Sequence, residues 1–172
     1  MTILPIITAP DPRLKLIAKP VAAVTDEIRR FLDDMLETMY ASEGIGLAAV
    51  QVGDLRRLVV MDIAQRDGGR EPRYFVNPEV VWQSEEENVY LEGCLSLPGQ
   101  FADVVRPKTV KVKYLDYDGK PQQIDADELL ATCIQHEIDH LNGVVFVDHI
   151  SQVKRDIILR KLKKEKRLAA AD

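Results

Sequence analysis

Gln135-His136-Glu137-Ile138-Asp139-His140 contains two of the chain's three histidines, four residues apart, with a glutamate directly after the first. On an α-helix, residues four apart lie one turn apart on one face, so both imidazoles can reach a single metal ion. Glu137 lies ~100° further round and can flank a water on that ion without ligating it. This is the H-E-x-x-H pattern, and it carries meaning only on a helix. Asp125 with Glu128 three residues on makes a capping box. Leu129, Leu130, Cys133, Ile134, Glu137, Ile138 and Leu141 recur at near-helical spacing, and Asn142-Gly143 is a stop signal. The spacing predicts a helix over 126–141.

At 172 residues the chain is long enough to bury one proper core. It divides into a catalytic domain over 1–150 and a basic helix and tail over 151–172. With 46% apolar and 30% charged residues the composition is that of a soluble globular protein. A net charge of −5 argues against general nucleic-acid binding, and no specific DNA contact is expected. The N-terminus shows no signal-peptide pattern, and no apolar run approaches the ~20 residues of a membrane span. Two cysteines make no disulfide framework, so the expected compartment is a reducing cytoplasm.

Working outward from the motif, Pro5, Pro10, Pro12 and Pro20 predict an extended, turn-rich start. Thr25-Asp26-Glu27 opens a helix whose buried stripe is Ile28, Phe31, Leu32, Met35, Leu36 and Met39, ending near Glu43-Gly44. Gly44 to Gln51 is small and apolar and ends in one amide. Its glycines allow close backbone approach, and no phosphate-loop lysine follows. Strands are expected at 55–63 and at 74–83, the latter broken at Asn77-Pro78. Further strands are expected within 104–117, and Asp118-Gly119 marks a hairpin between 110–117 and 122–124. The fold class is therefore α+β: mixed, mostly antiparallel strands around a central metal-binding helix, with an N-terminal and a C-terminal helix. Ser151 caps the last helix, where eight Lys or Arg lie between 154 and 167. That segment is either a solvated amphipathic helix or a docking arm for a polyanion such as ribosomal RNA.

A catalytic site of zinc type needs a third protein ligand and an open position. Phe146 stands where a metzincin would carry its third histidine. His149 lies beyond the helix stop, and Glu165 lies in the basic tail. Cys133 is ~10 Å along the helix axis from His140. Cys94, in Glu92-Gly93-Cys94-Leu95-Ser96-Leu97-Pro98-Gly99, remains; a thiolate there suits a zinc- or iron-type ion, although a cysteine is also a common core residue.

Three stretches together resemble the peptide deformylase family: Gly44-Ile45-Gly46-Leu47-Ala48-Ala49-Val50-Gln51, Glu92-Gly93-Cys94-Leu95-Ser96 and Gln135 to His140. Their order and spacing match, and the resemblance extends over essentially the whole chain. It implies removal of the formyl group from N-formylmethionyl peptides. Cys94, His136 and His140 would be the metal ligands and Glu137 the general base and acid. The Gln51 amide and the Leu95 backbone N–H would steady the oxyanion. The backbone near Ile45, Gly46 and Gly93 would pair with the peptide. Fe²⁺ is the implied ion, with Zn²⁺, Ni²⁺ or Co²⁺ accepted by the same donors. Pocket-lining places of the family are often aliphatic, and Tyr90 and Thr132 are expected at some of them. The ribosome is the implied partner of the basic helix. The competing expectations are a conventional metallopeptidase and an RNA-docking module with a structural ion.

Overall fold

Leu58-Val59-Val60-Met61 form a strand in which every residue is fully buried. Side chains alternate across a strand, so burial of both parities means that both faces are covered. The computed structural model describes residues 1–171. In chain order the elements are α1 (Asp26–Ala41), β1 (Gly46–Ala48), β2 (Leu58–Met61), β3 (Arg73–Gln83), β4 (Glu87–Cys94), β5 (Leu97–Pro107), β6 (Thr109–Leu115), β7 (Pro121–Asp127), α2 (Glu128–Leu141) and α3 (Gln152–Ala170). Five strands form one antiparallel sheet in the order β1-β2-β3-β6-β7, and β4 and β5 pair separately.

Leu58 and Val60 pack with Ile28, Leu32, Met35 and Met39 of α1. Val59 and Met61 pack on the other face with Ile134, Ile138 and Leu141 of α2. Each such side chain contributes about 1.5–3 kcal/mol by leaving water. The expected α+β architecture is the one observed, with α2 at its centre and buried almost all round.

Local detail follows expectation at the ends of α1 and departs from it at the start of α2. Thr25 Oγ1 caps α1 by accepting from the Ile28 N–H at 3.3 Å. At the other end Glu43, with φ +57, holds the left-handed position rather than Gly44, whose N–H donates to the Met39 carbonyl at 3.0 Å. α2 starts at Glu128 instead of 126, and Asp125 caps nothing. Asp125 and Asp127 are paired with Lys111 and Thr109 in the sheet, so Asp127 takes the N-cap place, extended, with its carboxylate capping no N–H. The chain therefore turns from strand to helix within one residue, Glu128, at φ +49. Gly143 ends α2 at φ +75, where a Cβ would also run into the Lys15 backbone.

The break expected at Asn77-Pro78 is a shift of register between Val76 and Glu79. Asn77, at φ +51, is held there by its amide, which bonds the Val21 N–H and carbonyl, each at 2.9 Å. The Asp118-Gly119 turn joins β6 to β7, with the Asp116 carboxylate accepting from the Asp118 and Lys120 N–H groups at 3.0 and 2.9 Å. The proline-rich start runs extended between two of the motif segments: the Ile7 N–H donates to the Gln51 carbonyl and the Ala9 N–H to that of Ser96. α3 buries only Leu162 fully, against Phe146, Val147 and Leu97. No helix among the described residues is long and apolar enough to cross a membrane.

Candidate active site

α2 presents His136 and His140 on one face, as the four-residue spacing requires. Cys94 arrives from a different element, the end of β4, where the β4–β5 hairpin turns tightly through Leu95 and Ser96. One ligand atom from each of Cys94, His136 and His140 lies within 4.8 Å of the others, and Cys94 Sγ is 3.3 Å from His140 Nε2. The other sequence candidates lie elsewhere. Cys133 lines the adjoining cavity with its thiol 3.8 Å from the Ile45 carbonyl. His149 bonds to Asp139 at 2.7 Å. Glu165 is exposed on α3.

A chain of charges orients the first histidine. His136 Nδ1 lies 2.9 Å from Glu92 Oε1, so the ring proton sits on Nδ1 and Nε2 keeps its lone pair for an ion. Arg106 braces Glu92 through two bonds of 2.7 and 3.0 Å and reaches Asp139 at 2.8 Å. A set of one thiolate and two imidazoles converging from two elements, one ring already fixed in the metal-binding tautomer, fits a tetrahedral ion with one open position.

Glu137 is buried, its Oε1 3.9 Å from His136 Nε2, and its Oε2 has no hydrogen-bond partner. Burial pushes its carboxyl up to about 7, partly offset by His136. Gly46 lies against this carboxylate, where a Cβ would come within 2.6 Å of Oε1. Gln51, fully buried, is anchored by its Oε1 accepting from the Ala48 N–H at 2.9 Å. That aims Nε2 at Ser96 Oγ (3.0 Å) and Cys94 Sγ (3.5 Å). A cavity of about 410 Å³ opens beside these groups. Ile45 and Gly46 border it at β1, and Gly93 at β4; each of these strands is paired on one side only. Leu95 lines the same cavity and packs over Gly44.

The sequence profile of the family described as "Polypeptide deformylase" matches residues 3–156. The chain belongs to the polypeptide deformylase family. Among relatives, the peptide deformylase of Brucella suis is 53% identical, covering 95% of this chain and 94% of its own length. That of Rhodopseudomonas palustris strain BisB18 is 57% identical, covering 95% of each. A crystal structure of the Ehrlichia chaffeensis peptide deformylase in complex with actinonin superimposes with a TM-score of 0.92 at 47% identity, over 97% of this chain and 99% of that one. The Legionella pneumophila peptide deformylase gives 0.90 at 47%, over 99% of each chain. As a deformylase this chain is a metallohydrolase that removes the N-formyl group from nascent peptides.

Three parts of the deformylase site escaped the sequence reading: the Glu92–Arg106–Asp139 brace, Ser96 as a partner of Gln51, and Arg66 at the cavity edge. Glu92 was legible in principle, because residues two apart share a strand face and Glu92 is two before Cys94. Burial alone would raise the Glu92 carboxyl, but hydrogen bonds from His136 and Arg106 outweigh it and bring it from 4.5 to about 2. Its folded value is depressed, so its stabilising contribution is complete above the ordinary carboxylate range. That contribution is lost as pH falls towards about 2. At 1.36 kcal/mol per unit it is on the order of 3 kcal/mol. Glu92→Gln is expected to make stability less sensitive to pH between about 4.5 and 2, as read from thermal midpoints across that range.

Proposed function

We propose that Cys94, His136 and His140 hold one divalent ion and that the adjoining groups hydrolyse the formyl amide of N-formylmethionyl peptides, releasing formate. The observation that carries this reading is the buried Glu137 carboxylate, with an unpartnered oxygen, bordering the same cavity as Cys94 and His136. The donor set accepts Fe²⁺, Zn²⁺, Ni²⁺ or Co²⁺, and Fe²⁺ is the proposed resident ion. When bound, such an ion supplies Lewis acidity, lowering the pKa of a water and polarising the formyl oxygen.

Glu137 takes the proton of the attacking water as the new C–O bond forms. It then delivers that proton to the amine as the C–N bond breaks, leaving formate and a free amino terminus. The Gln51 Nε2–H and the Leu95 N–H donate to the oxygen that gathers negative charge. Gln51→Leu is expected to lower kcat by about 10²–10³ while metal content stays as it was, checked by turnover and metal analysis of one preparation. The free edges at Ile45, Gly46 and Gly93 pair with the peptide backbone as an added strand, which binds many sequences alike.

α3 exposes Lys161, Lys163, Lys164 and Arg167, and we assign it as the arm that docks on the ribosome in the cytoplasm, where formylated chains emerge. Unchanged co-sedimentation with ribosomes after removal of residues 154–172, at low and moderate salt, would remove that assignment. The central test is formate release from formyl-Met-Ala-Ser under anaerobic conditions, with metal analysis alongside. Full metal occupancy without formate would overturn the proposal.

A further inference from the structure

Glu128, Asn77 and Glu43 are the non-glycine residues with positive φ among the described residues. Glu43 follows a helix end, and Asn77 sits at a break in register with its amide bonded to Val21. Glu128 opens α2, where no helix-start motif calls for a left-handed residue. There the chain leaves the β6–β7 ladder and enters the helix in a single residue, and the side chain at that residue is held too. Glu128 Oε2 accepts from Asn88 Nδ2 at 3.1 Å and from the Tyr90 hydroxyl at 3.0 Å, and Oε1 lies 3.6 Å from Lys108 Nζ. Asn88 and Tyr90 are two apart on β4, so they share a face that one carboxylate can span.

The position of this contact is what matters. α2 carries His136 and His140, and β4 ends in Cys94, so the carboxylate ties together the two elements that supply the ligand set. Tyr90 also borders the cavity, with Leu129, Thr132 and Cys133 of α2. Its ring is held at both ends, by the β4–β5 ladder at the backbone and by Glu128 at the hydroxyl.

We infer that Glu128 is a positioning residue that locks Tyr90 as a wall of the pocket for the substrate's first side chain, and so sets which side chains enter. This rests on the proposed function. A slim, unbranched thioether passes a fixed wall. An aromatic side chain needs Tyr90 to swing outwards, which breaks the hydroxyl–carboxylate bond. The left-handed backbone at the turn from strand to helix presents that carboxylate to Asn88 and Tyr90 of β4.

The test compares kcat and KM for formyl-Met-Ala-Ser and formyl-Phe-Ala-Ser in the unaltered enzyme and in Glu128→Gly, Glu128→Gln and Tyr90→Phe. Glycine suits the φ of position 128, so the first variant removes the carboxylate without straining the start of α2. The expected result is a fall of about fivefold or more in the Met-over-Phe ratio of kcat/KM for Glu128→Gly and Tyr90→Phe, carried by KM. Glu128→Gln, which keeps an acceptor, retains most of the preference. A ratio within about twofold of the unaltered enzyme in both Glu128→Gly and Tyr90→Phe overturns the inference, whether or not overall activity falls. Absence of formate release by the unaltered, metal-loaded enzyme sinks the proposed function itself, whereas an active enzyme with unmoved ratios sinks only the role of Glu128.

Discussion

Glu137→Gln is expected to lower kcat for formate release towards the upper end of the ~10²–10⁴ range that a positioned acid–base group supplies. Two features set the size. The carboxylate is buried, with an oxygen that no protein group satisfies, so it is held ready for a proton. In the proposed mechanism it is also required twice, once to receive the proton and once to return it. The amide keeps the shape and the packing against Gly46, so folding and metal content should be close to those of the parent. Single-turnover formate release with parallel metal analysis checks this. Retention of a tenth or more of the parent's turnover by a metal-replete variant would mean that another group moves the proton.

Cys94→Ser is the second large effect, and it acts on the ion. Loss of an outer partner of a ligating histidine commonly costs 10–100-fold in metal affinity, so loss of a ligand should cost at least about a hundredfold. A serine hydroxyl is harder and far less acidic than a thiol, and does not replace the thiolate at neutral pH. The expected outcome is a protein that folds, because the hairpin is held by the β4–β5 ladder and by Leu97 and Val104 in the core. It should lose its metal on dialysis and its activity with it. Competition against a chromogenic chelator measures the change directly. Near-parent affinity would remove Cys94 from the ligand set and favour a conventional metallopeptidase.

Much of the fold was legible because its strongest signals are local. The stripe on α1, the stop after α2 and the turn at Asp118-Gly119 follow from side-chain spacing and turn chemistry, and each appears in the structure. The start of α2 was misplaced for a non-local reason: Asp125 is a good helix-opening residue, but it is claimed by pairing with β6, and the N-cap place falls to Asp127. The strand expected over 55–63 is shorter, because Ile63 begins a 3-10 turn that Asp62 caps. In the site, both histidines and Glu137 could be placed from one helix alone. Bringing Cys94 to them needed contact between residues some forty apart, which resemblance supplied and spacing did not. The brace through Arg106 spans 14 residues to Glu92 and 33 to Asp139, still beyond any local period, and left no trace beyond the parity of Glu92 and Cys94.

The sulfur and the imidazoles reside on separately built pieces, a two-stranded ribbon and a helix laid across a different sheet. A chain in which ribbon and helix have not yet met offers an ion only a pair of nitrogens. On the proposed ligand set, full cation capture therefore requires that ribbon and helix have docked.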